Sequence, residues 1–522
     1  MDPFTLTLFL VVGFLLLYHF IWEPLSYFKE RDVPYQRPLP ILGNMAPMLF
    51  RRIHMAELLQ KLYHRFSGAK YFGLFNFISP IFVIRDPDLI LSICVKNFDH
   101  FCDHRGFVDP EVDPLMGKNL FALRGDNWRE MRKLLSPAFT SRKMKIMFHL
   151  IRECADNVSN FIATQSKEKK IFDVKDICGR YTTDVIATCS FGISIDSMRN
   201  PNNEFYVLAK KTLNFMTALS WKFMMALCCP KLSNLLGIRL FSEKVHRYFL
   251  NVVGETVRTR EEKGITRPDM IQLMMESKEK GDRALTIEEM TNQAFVFFFA
   301  GYDTSSTFLS FALHEIAVHP DVKAKVIAEV EEVVARTNGN PTYEDIKNMQ
   351  YLDAVLNETN RLHTLAFTLD RICVKEFQLP PATPGAKPVT LKPGDLVWIS
   401  PFAIQRDPKY YQDPMTFDPS RFLNGNAPPV HAYVPFGLGP RICIGNRFAL
   451  LESKILIFYL LWRCDVEPCV KTQIPMKYRK SNFSLLPESG FWLNFRAKNE
   501  ASLKGINGSC NGASVNGTVS AK

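Results

Sequence analysis

A single cysteine in a glycine-rich stretch constrains the fold and chemistry of this chain more than any other feature. Residues 436–445 read F-G-L-G-P-R-I-C-I-G, with Cys443 between Gly439 and Gly445. The apolar segment that follows, 446–462, has the period of an amphipathic helix. We therefore expect Cys443 just before a helix N-terminus, where the dipole and free N–H groups favour an anion and lower the pKa of a thiol. The two glycines allow a tight turn whose backbone amides face the sulfur, so the stretch is expected to hold a thiolate.

A lone thiolate suits haem iron better than zinc. Zinc normally takes four ligands, and the stretch contains no second Cys or His. Haem iron already has four equatorial nitrogens. The alternative is a buried structural cysteine in a glycine-rich turn. The stretch resembles the signature of the cytochrome P450 family, F-x-x-G-x-R-x-C-x-G, at all five fixed positions. The resemblance implies that Cys443 is the metal ligand of haem b and that Phe436 and Arg441 belong to the haem-binding site.

Composition narrows the class of protein. With 522 residues, 47% of them hydrophobic, and 42 Phe, the chain has material for a large core and an apolar pocket. The net charge of +11 favours acidic partners or anionic membrane surfaces. Nucleic acid is not an expected partner, because the basic residues are dispersed and no basic block is interleaved with aromatics. Twelve cysteines without a repeating spacing indicate reduced thiols in a cytosol-facing protein.

The N-terminus predicts a membrane anchor. Pro3 to Trp22 contains no charged residue and is long enough to span a bilayer as a helix. It lacks the basic n-region and the small-residue cleavage site of a signal peptide. Basic residues that follow it place the next domain in the cytosol. We predict a transmembrane signal anchor at 1–22, a proline-rich hinge at 23–44, a catalytic domain at 45–497 and a disordered tail at 498–522.

Three further segments of the chain have predicted structures. Tyr71–Gly73 and Ile81–Ile84 are typical of short strands, with a turn at Ser79-Pro80. Phe98–Leu123 shows no period and is expected to be a long loop, and the corresponding loop of the cytochrome P450 family covers the substrate pocket. The apolar stretch Ser220–Phe241 is either part of the core or a lid that dips into the membrane. It resembles the segment that, with the anchor, seats the catalytic domain in the bilayer, and we prefer this second interpretation.

One long helix is predicted at Glu288–His319, since no proline interrupts it before Pro320. Its middle, A-G-Y-D-T-S-S-T at 300–307, is poor in helix propensity, and its hydroxyls can bond preceding carbonyls and widen the turn. The segment resembles the oxygen-binding A-G-x-[DE]-T-[TS] of the family. The resemblance implies that Ala300 belongs to the haem-binding site and that Asp303 and Thr304 relay protons. Ser305 stands where many members have a second Thr.

Two motifs resemble the family's propionate-binding residues. Trp128 and Arg132 fall one turn apart on a predicted helix and resemble W-x-x-x-R, whose two side chains reach a haem propionate. On its own this pattern is weak, since such a pair is usually a surface stack. Arg371 falls where the family has another propionate-binding arginine.

A further motif is expected to stabilise the fold. Glu358 and Arg361 resemble the family's E-x-x-R, and Arg421 is expected to join them in a buried charge network. Elsewhere, His314-Glu315 followed by His319 almost forms the zinc motif H-E-x-x-H. The second His comes one residue late, which turns it about 100° away on the helix, so a zinc protease is excluded.

The resemblance extends from the anchor to about residue 495. It implies a protein that is mainly α with a smaller β region: the cytochrome P450 fold, with a single haem-containing catalytic domain behind an N-terminal transmembrane anchor. The motifs are most like those of the microsomal class, and within it the insect detoxification members. The implied location is the endoplasmic reticulum membrane, single-pass, with the catalytic domain facing the cytosol.

The implied activity is haem-thiolate monooxygenation of a lipophilic small molecule, such as a xenobiotic, plant toxin, insecticide or steroid- or terpenoid-like compound. Electrons are expected from NADPH through NADPH-cytochrome P450 reductase, a diflavin enzyme, with cytochrome b5 as an optional further donor. Membrane lipid is the other expected contact. Two alternatives stay open: a haem-thiolate isomerase or dehydratase that needs no electrons, and a non-catalytic haem-binding protein. Retained Asp303 and Thr304 argue against the first, and the anchor and basic surface argue against the second.

A cationic surface is expected to attract the reductase. It comprises residues on or just after the Trp128 helix: Arg129, Lys133, Arg142, Lys143 and Lys145. Opposite charges steer association between proteins. The alternative is that these side chains serve only solubility.

Overall fold

The computed structural model describes residues 3–7, 11–12, 23–106, 108–168, 170–217, 222, 225–226, 230–277, 284–426, 428–480 and 484–498. Most of the predicted anchor at 1–22, all of the predicted tail at 498–522 except Lys498, and part of Ser220–Phe241 therefore lie outside the described residues. Within the described ranges, no helix combines the length and apolar character that crossing a membrane requires.

The fold is mainly helical, which confirms the sequence prediction. The α-helices are α1 (Ala46–Leu49), α2 (Met55–Arg65), α3 (Pro87–Leu91), α4 (Pro114–Gly117), α5 (Gly125–Leu135), α6 (Ser141–Gln165), α7 (Val174–Ile186), α8 (Glu204–Thr217), α9 (Pro230–Leu235), α10 (Glu243–Lys263), α11 (Met270–Met275), α12 (Ile287–Val318), α13 (Pro320–Thr337), α14 (Tyr343–Lys347), α15 (Gln350–Leu362), α16 (Pro401–Ile404) and α17 (Asn446–Arg463). Short π-helical segments extend two of them: Ser92–Lys96 follows α3 and Ala187–Phe191 follows α7.

The smaller β region consists of short strands. These are β1 (Tyr71–Asn76), β2 (Ser79–Ile84), β3 (Ile171–Asp173), β4 (Leu369–Ile372), β5 (Phe377–Leu379), β6 (Val389–Leu391), β7 (Leu396–Ile399), β8 (Cys464–Pro468) and β9 (Trp492–Ala497). One sheet has the order β1-β2-β7-β4, a second has the order β3-β9-β8, and β5 pairs with β6. Strands β2 and β7 are parallel, whereas the other pairs are antiparallel.

The turn between β1 and β2 lies two residues earlier than predicted. Phe77, with φ 57°, turns the chain, and Pro80 is inside β2, opposite Phe75. Proline is tolerated there because the pairing of β2 with β7 begins only at Ile81, so β7 requires no N–H from it. The expected turn at Ser79-Pro80 is therefore wrong.

The long helix α12 is the centre of the fold, and its predicted bounds are correct to one residue. Its first turn is closed by a capping box between Thr286 and Glu289, and its end precedes Pro320. It packs against α7, α10, α15 and α17. The helix is continuous through the Ser/Thr-rich middle, although Thr304 Oγ1 donates a hydrogen bond to the carbonyl of Ala300 at 2.6 Å.

The predicted loop over the site contains a short helix and is tied to α12. Within Phe98–Leu123 the chain forms a 3-10 turn, Phe98–His100, and then α4. Gln293 of α12 accepts the N–H of Leu120 at 2.8 Å and donates to the carbonyl of Lys118 at 3.0 Å. The loop is thereby held against the long helix.

Candidate active site

The Cys443 loop is a tight turn that depends on two glycines. Gly437 and Gly439 have φ of +83° and +76°, a region that favours glycine. A side chain at Gly439 would also collide with the carbonyl oxygen of Cys94. The turn is closed by the N–H of Cys443, which donates to the carbonyl of Phe436 at 2.9 Å. Gly445 differs from expectation, because it caps α17 with φ −92°.

Among the described cysteines, Cys443 is the exposed one. Protein nevertheless surrounds the group closely enough that burial raises the pKa of its thiol. The sulfur therefore faces an open space inside the protein. The N–H of Gly445 and the charge of Arg132 both act to lower this pKa, as the position before α17 predicts. The expected net lowering is wrong for this structure, because desolvation outweighs both.

Arg132 and Trp128 of α5 both lie against the Cys443 loop. Arg132 Nη2 donates to the carbonyl of Ile442 at 2.8 Å. Trp128 is buried beneath Arg441, whose Cζ lies 4.0 Å from the ring centroid. These contacts agree with the prediction that both side chains share one face of α5, whereas their role toward haem stays a prediction.

Arg441 and Arg371 are two further buried cations, and they lie near each other. Arg441 donates to the carbonyls of Cys102 and Leu123 at 2.7 and 2.9 Å and contacts Asp103 at 3.2 Å. Burial, together with the nearby charge of Arg371, lowers the pKa of Arg441 to about 10. Arg371 is 1% exposed; Nη1 donates to the carbonyl of Asp370, but Nε has no hydrogen-bond partner.

These cations fit a buried group with two carboxylates. In the described part of the chain, neither Arg132 nor Arg371 forms an ion pair, while Arg441 has Asp103. Burial lowers the pKa of Arg132, and an uncompensated buried cation is unfavourable. The two propionates of haem would supply the missing charge, and the open thiol would supply its iron ligand. The residues present therefore fit haem.

The sequence did not single out a carboxylate–imidazole pair beside these arginines. His104 Nδ1 lies 2.9 Å from Asp370 Oδ1, and the N–H of Arg105 donates to the other carboxylate oxygen at 2.6 Å. Burial lowers the pKa of His104, and Arg371 and Arg441 lower it further. The run Asp103-His104-Arg105 in an aperiodic loop is the sequence signal that would have indicated the pair.

The middle of α12 presents an open face. Ala300 and Thr304 are exposed, although the helix is buried from Ser305 to Ala317. Residues four apart lie on the same side of a helix, so Ala300 and Thr304 line one space. Val296 and Phe297, one turn earlier, are half-buried, and they extend this face with apolar surface.

Asp303 faces away from that space. Its Oδ1 pairs with Lys175 of α7 at 3.0 Å, and its Oδ2 accepts the hydroxyl of Ser484 at 3.1 Å. Lys175 also donates to Ser306 and Thr307, each at 2.6 Å. The predicted relay partners Asp303 and Thr304 are thus on different sides of the helix, and sequence reasoning missed Lys175 and Ser484.

Ser305 is directed to α17. It is 3% exposed and hydrogen-bonds the carboxyl of Glu452. Helix periodicity places Ser305 about 100° from Thr304, and that side of α12 faces Glu452 of α17. Ser305 therefore does not share the open face with Thr304.

The predicted charge network around Glu358 is present. Arg361 makes two hydrogen bonds of 2.7 Å to Glu358, and both residues are fully buried. Arg421 Nε lies 3.5 Å from the same carboxylate. Arg361 also donates to the carbonyls of Gln405, Pro414 and Thr416. The network joins α15 to the segment before α17 and is a folding element.

Comparison with known proteins shows the family to which this chain belongs. The profile of the family described as Cytochrome P450 matches residues 33–495. Cytochrome P450 9e2 of Blattella germanica is 42% identical over 505 residues, which cover 91% of this chain and 94% of that protein. Probable cytochromes P450 9f2 and 6a13 of Drosophila melanogaster are each 38% identical, covering 91% and 94% of this chain and 95% and 98% of their own lengths. This chain therefore belongs to the cytochrome P450 family and is a monooxygenase.

Proposed function

We propose that this monooxygenase inserts one oxygen atom of O2 into a lipophilic small molecule, with electrons that a diflavin reductase takes from NADPH. The observation that carries the proposal is the Cys443 sulfur, which is open to an interior space at the N-terminus of α17. Arg132 lies beside it and, within the described residues, forms no ion pair. The substrates that we propose are xenobiotics, plant toxins and insecticides, because the sequence resembles the insect detoxification members of the family.

The proposed cofactor is haem b, which when bound supplies an iron centre able to activate O2. Cys443 would be its metal ligand, with the Gly445 N–H stabilising the negative charge on the sulfur. Arg132, Arg371 and Arg441 would neutralise the propionates, and Trp128 would add a hydrogen bond. Phe436 and Ala300 are proposed to complete the haem-binding site.

Thr304 is proposed to hold and deliver protons at the open face of α12. Its hydroxyl lies on that face and donates to the carbonyl of Ala300, so it can accept a hydrogen bond from water in return. Asp303 is proposed to feed protons to Thr304. Since its carboxylate contacts Lys175 and Ser484, this relay requires one of those contacts to break.

An apolar substrate is supported by the aromatic side chains near this face. Phe297 is half-buried one turn before Ala300. Phe299 contacts Phe241, with ring centroids 5.8 Å apart. Such surfaces gain free energy by excluding water, which favours lipophilic ligands.

We propose that the enzyme is a single-pass protein of the endoplasmic reticulum membrane whose catalytic domain, 45–497, faces the cytosol. The support is the segment from Pro3 to Trp22, which contains no charged residue, together with the prolines of the hinge at 23–44 and two exposed apolar patches. Leu39, Ile41 and Phe50 are more than half exposed, and Leu235 of α9 is 82% exposed. Patches of this kind mark lipid or protein contacts.

The reductase, with cytochrome b5 as an optional second donor, is proposed to bind the cationic surface after Trp128. Lys133, Arg142 and Lys145 are exposed and form no ion pair within the described residues. Arg129 is different, because it pairs with Asp99 and Asp126 at 2.8 Å each. It contributes less positive charge to a partner than the sequence suggests.

The test is reconstitution with the reductase and a panel of lipophilic compounds, with and without NADPH and with isotope-labelled O2. Labelled product that requires NADPH is the expected result. Product formed without NADPH would indicate the isomerase or dehydratase alternative. NADPH that stays unconsumed with every compound would indicate a haem-binding protein without turnover.

A further inference from the structure

A buried carboxyl group on α17 has no role in the proposed mechanism. Glu452 is 1% exposed, and its Oε1 has no hydrogen-bond partner. Ser305 of α12 hydrogen-bonds the carboxyl group, and Tyr181 donates to its backbone carbonyl at 2.9 Å. In the part of the chain that the structure describes, no cation pairs with this side chain. A buried acid without a counter-ion favours its neutral form.

The titratable groups that face Glu452 stay neutral around it. They are Tyr181 and Cys178 of α7, Cys189 in the π segment after α7 and Cys154 of α6. Burial raises the pKa of each. Burial also raises the pKa of Glu452 to about 8, while the hydrogen bond from Ser305 opposes the shift. Glu452 is thus the member of this group whose charge changes near physiological pH.

Helix α17 sets the distance between Glu452 and the cysteine sulfur. The N–H of Gly445, the cap of α17, donates to that sulfur. Glu452 is seven residues farther along the helix, which at 1.5 Å per residue places its backbone roughly 10 Å from the backbone of Gly445. Both groups lie inside the protein, where salt screens little. At that distance and an effective dielectric constant of about 20, one charge changes the affinity for an electron roughly tenfold.

We propose that Glu452 is a proton-linked tuning residue for reduction of the haem iron at Cys443. The inference rests on the proposed function, because it requires haem on that thiolate. An ionised Glu452 would take up one proton from solvent and become a carboxylic acid when the reductase supplies one electron to bound haem. The neutral form favours reduction, whereas the carboxylate opposes it. The group acts through the electric field and does not touch the haem.

The experiment is a spectroscopic redox titration of the haem-loaded protein between about pH 6 and pH 9, one to two units either side of the transition. The wild type should lose roughly tenfold in electron affinity across this range, or about 59 mV for a one-electron couple. Glu452→Gln should lack that fall. Ser305→Ala should move the fall to higher pH, since the carboxylate loses a hydrogen bond. Glu332→Gln, the same substitution at an exposed position of α13, is the matched control and should keep the fall, because solvent screens its charge.

Other results of the redox titration would overturn either the tuning role of Glu452 or the proposed function. A potential that is independent of pH in the wild type, or an equal fall in Glu452→Gln, would overturn the proposal. If Glu452→Gln does not fold, an unmoved transition in Ser305→Ala would do the same. A wild-type protein whose reduced carbon monoxide complex lacks the thiolate band would instead contradict the proposed function, and the inference with it.

Discussion

The guanidinium of Arg441 lies over the indole ring of Trp128, with Cζ 4.0 Å from the ring centroid. The pair joins α5 to the loop that carries Cys443. Hydrogen bonds from Arg441 to the carbonyls of Cys102 and Leu123 fix the guanidinium from the other side. Trp128 thus positions a cation of the proposed propionate site as well as filling the core.

We expect Trp128→Ala to lower haem retention and Trp128→Phe to preserve most of it. The alanine variant loses both the aromatic face and a large buried side chain, which typically costs about 3–5 kcal/mol. Phenylalanine keeps an aromatic face for Arg441. Haem retained after gel filtration, measured by its absorbance per protein, checks the prediction. Equal haem loss in both variants would show that the stack has no such role.

Thr304→Ala is expected to uncouple NADPH consumption from product formation, with hydrogen peroxide formed in place of oxidised product. General acid–base groups contribute typically about 10²–10⁴-fold, so coupling should fall strongly. Ser305→Ala should leave coupling at neutral pH near the wild-type value, because Ser305 bonds Glu452 and is buried away from the open face. The ratio of product to NADPH in each single variant and in the double variant is the measurement. Unchanged coupling in all of them would refute the proton-delivery role.

Long, capped elements could be predicted from the sequence. The apolar periods before Pro320 and after Gly445 gave α12 and α17 to within one residue. The position of the β1–β2 turn could not be predicted, because the turn depends on the positive φ of Phe77. Phenylalanine rarely adopts a positive φ, so the sequence contains no signal for a turn there.

Within the site, residue types could be predicted but not their partners. Helix geometry separates Asp303 and Ser305 from Thr304 by about 100°, yet only packing shows that they meet α7 and α17. The direction of the pKa shift of Cys443 could not be predicted, because the sequence shows that the thiol lies at a helix N-terminus but not that burial desolvates it. Arg129 meets Asp99, thirty residues away, and such long-range pairs leave no local pattern.

The stability of the wild type relative to Glu452→Gln should decrease as pH rises. The pKa of Glu452 is raised from 4.5 to about 8 in the folded protein. Its contribution to stability is therefore fully present below about pH 4.5 and is lost progressively as pH rises through 8, by up to about 1.4 kcal/mol per unit. Glutamine does not titrate. Urea unfolding of both proteins from about pH 5 to pH 8 tests this, and a difference that is constant with pH would contradict it.

Charge reversal at Lys133 and Lys143 should slow electron transfer from the reductase, with the largest effect at low ionic strength. Attraction between exposed charges is screened beyond about 8 Å at physiological salt. Lys263→Glu, on α10, is the control for each single reversal, because the change in charge is then equal. Stopped-flow reduction rates at several salt concentrations provide the measurement. Rates that fall equally in the control, or that do not change, would remove this surface as the docking site.

Every other proposed role depends on Cys443 as the thiolate ligand of haem. The direct test is the absorption spectrum of the reduced, carbon monoxide-bound protein, compared between the wild type, Cys443→His and a control, Cys469→Ser, at a half-buried cysteine. We expect the red-shifted thiolate band in the wild type and the control, and its loss in Cys443→His with some haem retained. A Cys443→His protein that kept the band would show that another residue binds the iron and that Cys443 is not the ligand.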